Sequence, residues 1–195
     1  MADRIAPNTL LARYDEALEF FSDRVHAVRP GQWDAPTPCT EWSVRDLVNH
    51  LTVEQLWVPP LLLEGSTIEE QGDAFEGDVL GDDPVAAWDR AAGAARDAFH
   101  TTGALDRTVQ LSYGETPARD YCSQMTADAV VHAWDLARGI GADERIPEEL
   151  VAFTAREVAP YAGGLEQSGL FAAPVEPPPG ADAQAELLAL LGRRA

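Results

Sequence analysis

Arg119 to Gly139, RDYCSQMTADAVVHAWDLARG, is the stretch in which a helical pattern and a chemical pattern coincide. Tyr121, Met125, Asp128, His132 and Leu136 recur at spacings of three and four, which sets them on one stripe of a helix facing the core. Its two polar members, Asp128 and His132, stand one turn apart and converge on one point. A carboxylate and an imidazole buried together need a partner. Either they hydrogen-bond each other, or they share a metal ion in the manner of the Asp/Glu and His pairs of bundle cores.

A second inward histidine lies upstream. Ser43 and Asp46 form a shortened capping box that opens the helix SVRDLVNHLTVEQLWV, which Pro59 and Pro60 kink or end. Leu47, His50, Trp57 and Leu61 make its apolar stripe, flanked by Val44, Val48 and Leu51, so His50 points inward. Glu54, one turn beyond His50, is either solvated, set behind the ligands, or a second carboxylate at the same point.

Two more helices complete a bundle. Asn8 or Thr9 caps the first, where Leu10, Tyr14, Ala17, Phe21, Val25 and Val28 repeat until Pro30 and Gly31 stop it, with His26 in a surface or helix-end role. Asp83 caps another, with Pro84 at its first position, Val85, Trp88, Ala91, Ala92, Ala95 and Phe99 on its buried face, and His100 complementing its dipole. The connection PGQWDAPTPCTEW is ordered and extended, Glu64 to Asp83 is a long acidic loop without helical period, and Thr108 to Tyr113 is a short extended segment. The central helix ends at Gly139 and Gly141. After Pro147, EELVAFTAREVAPY is helical up to Gly163 and Gly164; FAAPVEPPPG is an extended arm and AQAELLALLGRR a last short apolar helix. The class is all-α: a four-helix bundle over 1–163, with an extended arm and short helix over 164–195 packing on the same domain.

Composition narrows the partners. With 33 acidic against 14 basic side chains the net charge is -19 and the pI about 4.3, so the surface repels nucleic acid and anionic membranes alike. No apolar run approaches the roughly 18 residues of a membrane span, and MADRIAPNTL lacks a signal-peptide core, which gives a cytoplasmic reading. Cys39 and Cys122 allow at most one disulfide and form no CxxC; Cys122 packs beside the central stripe, and Cys39 stands in a Pro/Thr-rich loop within range of a site. There is no Gly-rich phosphate loop, GxSxG, HExxH or basic patch with interleaved aromatics.

His50, Asp128 and His132 together offer three protein ligands, the number that leaves zinc a fourth position for water or substrate. The metal-free alternative bonds His132 to Asp128 and His50 to a backbone carbonyl. Asp135 and Arg138 flank the set and either orient it or pair on the surface, while Trp57, Tyr121 and Met125 wall the pocket.

TPCTEWSVRDLVNHL at 37–51, VVHAWDLARGIG at 130–141 and the tail FAAPVEPPPGADAQAELLALLGRR resemble the actinobacterial, mycothiol-dependent maleylpyruvate isomerase-like branch of the DinB/YfiT metalloprotein superfamily. The resemblance implies an up-down-down-up four-helix bundle holding zinc or nickel, with ligands that fall on His50, Asp128 and His132. It also implies a low-molecular-weight thiol such as mycothiol as co-substrate, activated as a thiolate toward a small electrophile. Asp128 stands where the isomerase has glutamate, and only roughly 50 residues follow the central helix where the isomerase carries a separate domain. A thiol S-transferase fits both departures better than isomerisation. The expectation is therefore a metal-dependent transferase joining a thiol to a small-molecule substrate, with room for a homodimer through exposed helix faces. The alternative is a non-catalytic metal-binding sensor or interaction bundle.

Overall fold

A computed structural model of the chain describes residues 6–161 and 172–194. Helix α1, Pro7–His26, starts on a proline whose φ is already helical, with Ala6 at the N-cap and no side-chain cap bond. The expected cap at Asn8 or Thr9 is thus displaced, because proline brings no N–H that needs capping. Helix α2, Val44–Pro59, opens on the expected box: Asp46 N–H donates to Ser43 Oγ at 3.2 Å, and Asp46 Oδ2 accepts from Ser43 N–H at 2.9 Å. It runs through Pro59 into a π-helical turn, Pro60–Glu64, ended by Gly65 at φ 70°.

The loop expected between Glu64 and Asp83 contains a single helical turn, α3, Ile68–Gln71, capped reciprocally by Thr67 and Glu70. One turn is too short for periodicity to reveal it, although its T-x-x-E signature stands in the sequence. Asn49 and Arg45 of α2 pin this loop by hydrogen bonds to Gly77, Val79, Asp78 and Gly81. Helix α4, Pro84–His100, has Asp83 as its N-cap as read, and buries Ala87, Trp88, Ala91, Ala92, Ala95, Ala98 and Phe99. The expected extended segment is a hairpin: β1, Thr108–Leu111, pairs antiparallel with β2, Gly114–Pro117, in the register Val109 to Thr116. Helix α5, Ala118–Ile140, follows at once and stops at Gly141, φ 68°. Helices α6, Glu148–Val158, and α7, Ala183–Leu190, pack on each other. Gly163, Gly164 and Phe171 lie outside the described residues.

Helix directions follow from named contacts. His26 at the end of α1 meets Asp89 at the start of α4, and His100 at the end of α4 meets Asp15 of α1, so these two are antiparallel. Arg45 of α2 bonds the carbonyl of Gly81, ahead of α4, so α2 and α4 start together. Gly139 near the end of α5 lies against Val44 at the start of α2, making that pair antiparallel. The order is up-down-down-up, with α1 and α2 at opposite corners and α4 and α5 between them. Because α5 touches α1, α2 and α6, it is buried almost all round rather than along one stripe. Tyr14, Phe21, Leu47, Leu51, Trp88, Phe99 and Leu136 fill the centre. Among the described residues no helix is long and apolar enough to cross a membrane.

Candidate metal centre

The α2–α5 contact brings together the three residues singled out by spacing. His50 Nε2 lies 3.6 Å from Asp128 Oδ2, and His132 Nε2 lies 3.4 Å from Asp128 Oδ1. The two imidazoles stand edge to face with centroids 5.3 Å apart. All three offer a ligand atom within 4.8 Å of the others. These contacts are looser than N–H···O hydrogen bonds, which cluster near about 2.9 Å. A tetrahedral ion with bonds of about 2.05 Å would set its ligand atoms roughly 3.3 Å apart. His50 and Asp128 keep 27% and 26% of their side-chain exposure against 7% for His132, so the cluster opens to solvent on the side of α2.

Behind His132 the structure is closed. Asp135, fully buried, accepts from His132 Nδ1 at 2.9 Å, from Arg193 Nη2 at 2.8 Å and Nε at 3.1 Å, and from the Cys39 thiol at 3.2 Å. Burial alone would raise the Asp135 pKa; the bonds from His132 and Arg193 and the guanidinium charge outweigh it and hold the carboxyl at about 2. An ionised carboxylate only accepts, so Nδ1 of His132 donates to it and Nε2 is the ring nitrogen turned toward the cluster. Burial, followed by the Asp135 charge, pushes the Cys39 thiol up to about 12, which makes it a hydrogen-bond donor rather than a thiolate.

On the open side, burial would lower His50, but attraction to Asp128 and to Glu54 overrides it and its pKa stands above the ordinary value. Burial also opposes ionisation of Asp128, yet His132 and His50 draw its pKa below the usual range. Glu54 is raised, first by burial and then by the Asp128 charge. Its carboxylate lies outside the three-residue ligand set.

Trp42 covers both rings, 4.8 Å from His50 and 6.0 Å from His132. The turn that presents it has Glu41 at φ 76°, a conformation uncommon for a residue with a side chain. Of the expected walls, Trp57 is partly accessible and packs on Phe75, whereas Tyr121 and Met125 belong to the core. Of the flanking pair, Asp135 holds His132 by a hydrogen bond and Arg138 does not reach the cluster: it stacks on Trp134 and pairs with Glu144. Spacing missed Trp42 and Arg193. Gly192, at φ 79°, turns the chain after α7 so that Arg193 reaches Asp135; a Cβ there would lie 2.7 Å from Cβ of Ala172.

A sequence model described as the mycothiol maleylpyruvate isomerase N-terminal domain matches residues 14–137. The chain belongs to that family. Proteins called uncharacterized, from two strains of Mycobacterium tuberculosis, are each 31% identical over 144 residues, 72% of this chain and 72% of theirs. The crystal structure of the mycothiol-dependent maleylpyruvate isomerase superposes with a TM-score of 0.66 at 16% identity, covering 83% of this chain and 73% of that one. A mutant of the same isomerase gives 0.59 at 13% identity, covering 79% and 70%. At such identities the likeness is one of fold, and the isomerase-like bundle is what this family member shares with them.

Proposed function

We propose that this bundle holds a divalent metal, zinc or nickel, on His50, Asp128 and His132, and uses it to transfer a low-molecular-weight thiol of the mycothiol type to a small electrophile. The observation that carries the reading is the convergence of two Nε2 atoms on the two oxygens of one carboxylate at 3.4 and 3.6 Å, with one face open. When bound, the ion would act as a Lewis acid that lowers the pKa of a thiol at its remaining position.

The protein's own groups supply the rest. Asp135 fixes the His132 tautomer and ring plane, and Arg193 keeps Asp135 ionised while doing so. Trp42 shields both imidazoles from water on one side. Three ligands rather than four favour chemistry over a purely structural metal, since a closed site has no position to offer. Membership of a family described by a mycothiol isomerase supports the choice of thiol.

The test is metal content of protein purified without added metal, compared with His132→Ala. One equivalent, lost in the variant, is the expected result, followed by metal-dependent consumption of thiol when electrophiles are offered. No metal in either protein after exposure to zinc and nickel would instead support a non-catalytic bundle.

A further inference from the structure

The two imidazoles of the cluster are held in different ways. The His132 side chain is 7% exposed and its Nδ1 is bonded to Asp135 at 2.9 Å, so its ring plane is set from behind. That of His50 is 27% exposed, and among the described residues its one polar contact is Nε2 to Asp128 at 3.6 Å, which leaves Nδ1 without a bond. A metal-binding histidine is ordinarily oriented through the nitrogen that does not ligate, by a carboxylate, a backbone carbonyl or water. What the protein sets against His50 is a ring. Trp42 lies 4.8 Å from it at a tilt of 43°, nearer than to His132 at 6.0 Å. Trp42 is itself fixed at the backbone. Its N–H donates to Cys39 O at 3.0 Å, and its carbonyl accepts from Thr37 N–H at 3.2 Å and Thr37 Oγ1 at 2.9 Å. Glu41, just before it, has φ 76°, which a residue with a side chain holds only where its surroundings impose it. Ser43, just after it, is the N-cap of α2, so the turn and the helix that carries His50 are one continuous support.

We propose that Trp42 is the positioning residue for His50: its ring, presented by a strained and hydrogen-bonded turn, restricts the imidazole as the Asp135 carboxylate restricts that of His132. This rests on the metal reading above and adds the group that orients its solvent-facing ligand. A side chain just before an N-cap ordinarily packs on the fourth residue of the helix, here Leu47, and serves only to fix how the chain enters it. The Trp42 ring meets His50, three residues beyond, and removal of an orienting partner of a ligand lowers metal affinity by about tenfold or more.

The experiment uses the full chain, reads the order of the two histidine rings separately by NMR relaxation in metal-free protein, and then titrates zinc. Trp42→Leu, which keeps an apolar side chain but no ring, should loosen the His50 ring, leave the His132 ring on Asp135 unchanged, and weaken zinc binding by about tenfold. Trp42→Phe, which returns a ring, should recover the order of His50 and bring zinc affinity to within about threefold of wild type. Thr37→Val removes the hydroxyl that donates to Trp42 O and leaves the indole in place; it should loosen His50 in the same direction, and it carries the test if Trp42→Leu does not fold. A Trp42 that only closes the start of α2 would lower Tm and either leave both rings as they were or loosen both alike, and either result overturns the proposal. So does a loosened His50 with wild-type zinc affinity. If wild type takes up no zinc while His50 alone loosens in Trp42→Leu, the metal reading fails and the restriction of His50 by Trp42 stands.

Discussion

Asp135 is the residue on which the geometry of the cluster depends. It is fully buried and receives His132, Nε and Nη2 of Arg193 and the Cys39 thiol, so its two oxygens serve three side chains at once. Asparagine is nearly isosteric but offers one oxygen and an NH2 group, which must face a donor whichever way it turns. Asp135→Asn is expected to cost about 3 kcal/mol, because Arg193 is left as an uncompensated charge only 9% exposed. It should also lower metal affinity by about 10- to 100-fold through loss of the His132 tautomer. A melting curve and a zinc titration check the two parts separately, and wild-type zinc affinity in the variant would count against the orienting role. His50, Asp128 and His132 were legible in the sequence because each interrupts an apolar helical period. Arg193 was not, since its contact with Asp135 spans 58 positions and depends on a glycine turn beyond the last helix. Local spacing carries no information about such a contact.

At the scale of elements, the caps and the stripes were readable and the short or all-round-buried pieces were not. The Ser43 box and the Asp83 cap stand where their side chains predict, because capping is chemistry local to four residues. Helix α3 escaped because one turn has no period, and the start of α1 was misplaced because proline sets φ without any cap. The Ser43 box also fixes where α2 begins, next to the loop carrying Cys39 and Trp42. Gly139 of α5 lies under that loop, and a Cβ there would meet Pro36 O, Thr37 Cγ2 and Val44 Cγ2 at 3.3 Å. Ser43→Ala is expected to cost about 1 kcal/mol, which in a chain of this size lowers Tm by about 2–4 °C. Gly139→Leu should lower Tm further, because the loop must move away to admit the side chain, and it should change Trp42 fluorescence as the indole leaves the imidazoles. A Gly139→Leu protein with unaltered Tm and emission would show that the loop does not rest on α5 in solution.

For the molecule as a whole, the metal reading makes folding and ion binding one equilibrium. The bundle is held by an extensive apolar core, so the apo chain is expected to fold, and an ion on His50, Asp128 and His132 adds stability by mass action. At 100 times its Kd, zinc contributes about 2.7 kcal/mol, a rise in Tm on the order of 8 °C. The ion competes with a proton for His50, whose pKa is raised in the fold because attraction to Asp128 and Glu54 overcomes burial. That proton's hold is complete below the ordinary histidine range and is lost as pH rises through the raised value, so zinc stabilisation should grow with pH across that window. With 33 carboxylates on the chain, surface binding of zinc is a competing cause of any shift. His50→Ala separates the two, since it removes one ligand and leaves every carboxylate in place. Thermal melts at pH 6 and pH 8, with and without zinc, should show a rise that is larger at the higher pH in wild type and largely absent in the variant. Equal rises in both proteins would assign the effect to the acidic surface and leave the cluster without a metal.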